Sequence, residues 1–164
     1  MHPQLVIVPE NPTSAAVQEL IAELDCYLET LYPPESRHGL NIAALQDQSV
    51  TLFIARIDNK LIGCGAIKLL TGYAEIKRMY VRPNYRGKGV AREILRQLEA
   101  FAKQANIHTL RLETGIYQPE AIALYQKCGF SPIPPFGDYQ PDPLCLFFEK
   151  PLTIHDSQLM TNPR

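Results

Sequence analysis

Apolar residues at Val17, Leu20, Ile21, Leu24, Leu28 and Leu31 recur in steps of three and four, and Val90, Ile94, Leu95, Leu98, Phe101 and Ala102 repeat that spacing. The period places each set on one face of an amphipathic helix. The first helix is expected to stop at Tyr32-Pro33-Pro34-Glu35, because proline lacks an amide donor and restricts the residue before it. Residues 5–8 read as a short strand closed by Pro9, and residues 40–45 as a shorter helical patch. Two β-rich runs, 50–57 and 61–70, flank Asp58-Asn59-Lys60, a turn of hairpin length. A third run, 73–82, follows across Thr71-Gly72, so three consecutive strands form a meander. Residues 109–113 are a strand, 119–127 a helix with Pro119 in its first turn, Gly129 a left-handed cap and 144–149 a last strand. Residues 131–143 hold five of the fourteen prolines and read as a conformationally restricted loop.

The 164 residues suffice for one ordinary domain with a shared core, which we set at 1–154, with 155–164 as a frayed polar tail. Sixteen basic residues against seventeen acidic ones, without a block of like charge, argue against bulk nucleic-acid binding and an electrostatic membrane anchor. Neither a secretion signal nor an apolar run of about eighteen residues is visible, so a cytoplasmic protein is expected. Cys26, Cys64, Cys128 and Cys145 are widely spaced among apolar neighbours and read as core residues of a reducing compartment. His2, His38, His108 and His155 are scattered and make no ligand spacing, so no metal is expected.

One stretch promises chemistry. Between the third strand of the meander and the long helix lies Arg86-Gly87-Lys88-Gly89-Val90-Ala91. Free amides at a helix start, together with the helix dipole, attract anions, and glycines let a phosphate approach the backbone. Arg86 and Lys88 can add charge. A Walker loop would need a hydroxyl residue where Gly89 follows Lys88, and a dinucleotide fingerprint would need glycine at Arg92, so both fit poorly.

The six residues do resemble the Gln/Arg-x-x-Gly-x-Gly/Ala turn of the GNAT family of N-acetyltransferases, with Arg86, Gly89 and Ala91 on its specified positions. Upstream, residues 74–83 resemble that family's fourth strand. Downstream, Gln118 to Phe130 resembles its Asn-x-x-Ala-x-x-Leu-Tyr-x-x-x-Gly-Phe segment, with glutamine in place of asparagine. The resemblance spans residues 50–130. It implies an α/β fold with a mixed, mostly antiparallel sheet of six or seven strands, splayed beside the fourth, with helices on both faces. It further implies transfer of acetyl from acetyl-CoA to a small-molecule or peptide amine by direct attack. The coenzyme would lie on Arg86, Gly87, Lys88, Gly89, Val90 and Ala91, near Gln118, with the acetyl carbonyl facing main-chain amides around Met79, Tyr80 and Val81. Dimers are frequent in that family. A non-catalytic acyl-CoA-binding module and an enzyme using a longer acyl chain are the alternatives.

An alkylammonium of pKa about 10.4 must lose a proton before it attacks, so a base is useful. By resemblance Glu75 stands where relatives carry one. It can equally pair with Lys77, its neighbour on the same face, and Glu113 is a rival carboxylate. Tyr125 matches the tyrosine that protonates the departing thiolate, or else is a core residue. Tyr27, Tyr32, His38, Phe136, Asp138 and Tyr139 fall in segments that wall the acceptor pocket in the family. If Glu35, Asp138 and Asp142 lined it, they would favour a cationic acceptor.

Overall fold

Each predicted helix has a physical start. The computed structural model of the protein describes residues 4–153, so the expected tail lies outside the described residues. Helix α1 (Ala15–Leu31) begins at Ser14, whose Oγ accepts from the Val17 amide at 3.3 Å, and ends at Tyr32 before the prolines. The short α2 (Ile42–Leu45) is capped by Asn41, whose side chain accepts from Ala44 at 2.8 Å. Helix α3 (Val90–Gln104) buries Val90, Ile94, Leu95, Leu98 and Ala102, the stripe that the spacing predicts. Each fully buried Leu or Ile contributes roughly 2 kcal/mol. Helix α4 (Pro119–Lys127) has proline at its start.

The strands are β1 (Leu5–Pro9), β2 (Val50–Ile57), β3 (Lys60–Leu70), β4 (Tyr73–Val81), β5 (Thr109–Gly115), β6 (Ser131–Ile133) and β7 (Cys145–Pro151). They form one seven-stranded sheet in the order β1-β2-β3-β4-β5-β7-β6, antiparallel throughout except for β4 beside β5. Asp58 and Asn59, at φ 50° and 66°, make the tight β2–β3 turn whose twist suits a hairpin. Strand β6 corrects the expectation of a loop over its residues. Pro132 is tolerated because this is the sheet's edge, where no outward ladder bond is needed.

Two apolar clusters cover the two faces. Helices α3 and α4 pack on one through residues such as Phe53, Ile67, Ile76 and Leu112, and α1 and α2 on the other through Leu52, Ile54, Cys64 and Ala66. The expected α/β sheet with helices on both faces is therefore the observed fold.

Two irregularities make room for a site. Strands β4 and β5 pair only at Ala74 to Ile76, and beyond that β4 has no partner on this side. On its other side, Cys64 faces Tyr80 and Ala66 faces Lys77, so Arg78 and Met79 together oppose Gly65. That is a β-bulge, with Arg78 left-handed at φ 56°. It inverts the side-chain alternation. Met79 and Val81 join Ile76 on the α3 face, while Tyr80 turns to the α1 face.

Candidate active site

The parted strands open into a cleft of about 660 Å³, walled by α1, the segment before α2, β4, β5 and the starts of α3 and α4. Its entrance is the predicted turn. Gly87 and Gly89 have φ 74° and 82°, and a Cβ added at either would meet nothing within 4 Å. Gly89 begins α3 without a side-chain cap, and the first backbone bond of the helix runs from Glu93 N to Gly89 O at 3.1 Å. The amides of Val90, Ala91 and Arg92 thus have no helical acceptor. An open, uncapped helix start of this kind fits a diphosphate.

Arg86 borders the same space. Its Nε donates to Val81 O at 2.8 Å, and its guanidinium lies 5.6 Å from the rings of both Tyr27 and Tyr80. Lys88 is exposed and lies over Tyr85, which lines the cleft, although Lys88 itself is not among the lining residues. Met79, Tyr80 and Val81 line the splay. Gln118 does too, although its Oε1 already accepts from Tyr32 Oη at 3.3 Å.

Deeper in the cleft stand two carboxylates in different surroundings. Glu75 is buried, and its Oε2 accepts from Lys77 Nζ at 3.2 Å and from Tyr139 Oη at 2.5 Å. The ion pair weighed from the sequence is thus present. Glu113 has no such partner: burial, resisted by the Cys145 thiol and Lys77, pushes its pKa up to about 7. Tyr125 is buried against Phe130, with ring centroids 5.7 Å apart, and borders the same cleft. Burial, and then the Glu113 charge, push its phenol up, so it stays protonated at neutral pH.

Tyr32 closes one end of the cleft. Its Oη accepts from the Tyr117 amide at 3.0 Å, its ring stacks on Tyr117, and it presses so close on Gly115 that a Cβ there would lie 1.9 Å from the oxygen. Tyr27, His38 and Tyr139 also line the space, whereas Phe136 packs behind with Cys145 and Phe147. The acidic acceptor wall is not found. Glu35 and Asp138 are exposed outside the lining, and Asp142 accepts from Ser36 Oγ at 2.6 Å. Basic Arg37, Lys77 and Arg78 line the cleft together with Glu75 and Glu113.

His38, Asp142 and Cys145 bring ligand-type atoms within 4.8 Å of one another, a cluster that spacing alone could not show. Burial pushes the Cys145 thiol up, and Asp142 is already engaged, so the group reads as packing between loops. Cys26 corrects one expectation: it is exposed on α1 rather than in the core.

The chain belongs to the acetyltransferase (GNAT) family, whose match covers residues 17–130. It is an N-acetyltransferase by that membership. It is 47% identical over 152 residues to an IAA acetyltransferase of Azospirillum brasilense, covering 92% of this chain and 99% of that protein. An uncharacterised N-acetyltransferase of Escherichia coli, YedL, is 38% identical over 84% of this chain and 88% of its own. The crystal structure of a candidate acyl-CoA N-acyltransferase from Klebsiella pneumoniae superposes with a TM-score of 0.81 at 42% identity, covering 92% of this chain and 99% of that one. The PaiA N-acetyltransferase of Thermoplasma acidophilum, solved with coenzyme A, shares the fold at a TM-score of 0.71 and 19% identity, over 91% and 99% of the two chains. Among the described residues no helix is long and apolar enough to cross a membrane.

Proposed function

We propose that the protein transfers an acetyl group from acetyl-CoA to a primary amine by direct attack within this cleft, with Glu113 as the base and Tyr125 as the acid. The observation that carries the reading is the continuity of one space, from the uncapped amides at Gly89 to Glu113 and Tyr125. When bound, acetyl-CoA supplies a thioester whose carbon is open to a neutral amine.

The amides of Val90, Ala91 and Arg92, with Arg86 beside them, hold the diphosphate. A main-chain amide in the unpaired part of β4, between Met79 and Val81, donates to the carbonyl oxygen as it gains charge. Glu113 takes a proton from the incoming ammonium; a pKa near neutrality suits a group that must accept and then release it. The C–N bond forms as the C–S bond breaks, and the nitrogen sheds its second proton to solvent as the amide forms. Tyr125 Oη delivers a proton to the departing sulfur and regains one from solvent. A reference phenol near 10 is a weaker acid than a thiol near 8.5, so this transfer is uphill by roughly 2 kcal/mol before the site contributes. Glu75, fixed by Lys77 and Tyr139, orients the wall instead of taking the proton.

Carboxylate and phenol facing one cleft count against a module that only binds acyl-CoA. Free cysteines throughout the described residues fit the cytoplasm, where we place the reaction. Calorimetric titration with acetyl-CoA tests the central claim: micromolar binding, lost in Gly89→Glu, is expected. A folded wild-type protein that binds none would overturn it.

A further inference from the structure

Among the described residues, three buried side-chain nitrogens have no hydrogen-bond partner: Nε of Arg37, and Nε and Nη1 of Arg78. Both arginines are among the residues that line the cleft. Buried guanidinium donors without acceptors are costly, and a protein normally satisfies them.

Arg78 is the stronger case. Its side chain is 3% exposed, and its one ion pair is Nη2 to Asp25 Oδ1 at 2.7 Å, an acid that is itself 47% exposed. One edge of the fork therefore faces a carboxylate at the surface, and the other faces none. Arg78 also holds the left-handed position of the bulge, at φ 56°, which glycine would occupy without strain. Local backbone energy is spent on keeping a cation here. Gly39 lies directly on the free edge: a Cβ there would come within 2.3 Å of Nη1. Arg37, two residues earlier, is held only by Glu29 at 3.4 Å.

We propose that Arg78 and Arg37 form a carboxylate subsite, so that the acceptor is a small amine that itself carries a carboxylate, as an amino acid does. The inference rests on the acetyl-transfer reading above. The carboxylate lifts Gly39 from the guanidinium edge and takes Nε and Nη1 of Arg78 as a bidentate pair, with Arg37 Nε closing over it. Since Arg78 immediately precedes Met79, such an anchor holds the amine close to the unpaired amides of β4. Esters and decarboxylated amines lose the anchor while keeping the nucleophile.

The test compares the common amino acids with their methyl esters, following coenzyme A release. The acids are expected to show kcat/KM at least tenfold above their esters. In Arg78→Gly, which suits the local φ, and in Arg37→Gln, KM for the acid should rise at least tenfold while KM for the ester stays put. Equal use of acids and esters, acetylation of no acid, or variants that weaken both series alike would overturn the subsite. Acetyl-CoA titration of the same proteins separates the two claims. Binding with no preference for acids sinks only the subsite, whereas no binding sinks the acetyl-transfer reading beneath it.

Discussion

Glu113 has opposite consequences for catalysis and for stability. Its carboxyl ionises near 4.5 in the unfolded chain but is raised to about 7 in the fold, mainly by burial. Between those values the folded protein holds a proton that the unfolded chain has lost. Stability therefore falls as pH rises from about 4.5 to about 7, then stays at the lower level. Glu113→Gln removes the ionisation, so its melting temperature should exceed that of the wild type at pH 8, with the difference closing toward pH 5. The same change should lower kcat by about 10²-fold or more and abolish the rise in kcat/KM through pH 7. A variant as active as the wild type would return the base role to Glu75. Tyr125 separates binding from chemistry. Tyr125→Phe keeps the ring against Phe130 and removes the proton, so kcat should fall with acetyl-CoA affinity unchanged by calorimetry. Unchanged turnover would leave Tyr125 as a core residue.

Strand β4 shows how much an element can hide. Its existence, its place in the meander and the turn beyond it follow from β-branched and aromatic runs closed by Thr71-Gly72 and Pro83. The directions of its side chains do not. Alternation would put Glu75, Lys77, Met79 and Val81 on one face, yet the bulge at Arg78 moves the last two to the other. Arg78 is hidden for the same reason: nothing in the strand's pattern marks a basic residue as buried, and only the fold shows it 3% exposed. Likewise, Pro132 made β6 resemble a loop, because edge placement is a property of the sheet and not of the segment. Glu113 stands in the sequence only as a rival, since its pKa is raised mainly by burial, which the fold creates and no local pattern shows. The turn from Arg86 to Ala91 was legible because its requirement is local: glycines and an uncapped helix start. Gly65, opposite the bulge, offers a check on this element. A Cβ there would stand 2.6 Å from Ile94 and 2.7 Å from Met79, so Gly65→Ala should push α3 away from β3 and displace the Met79 side chain. We expect a loss of about 1–3 kcal/mol in urea unfolding, with weaker acetyl-CoA binding. A neutral result would show that α3 can shift freely without disturbing the splay.

The molecule as a whole is a sheet with a seam. Strands β1 to β4 make one antiparallel half, β5 to β7 the other, and only three residue pairs, at Ala74 to Ile76, join them. Clamps outside the ladder reinforce the join: Tyr139 bonds to Glu75 and Lys77 across it, and further clamps come from the segment that follows α1. Tyr32 reaches across to the Tyr117 amide and Gln118, and Ser36 to Asp142. A ligand in the cleft touches both halves, so the seam is where binding and stability should be coupled. Tyr32→Phe tests this arrangement. It keeps the ring that stacks on Tyr117 but deprives that amide of its acceptor, at an expected cost of about 1–2 kcal/mol. If the halves open along the seam, amide exchange should quicken at residues 113–118 and leave the β2–β3 hairpin unchanged, and acetyl-CoA should restore the slow exchange by bridging the gap. Exchange that quickened equally in β2, β3 and β5 would mean that the sheet opens only as one unit. The cleft would then be a rigid feature of the fold, with no role for Tyr32 beyond packing.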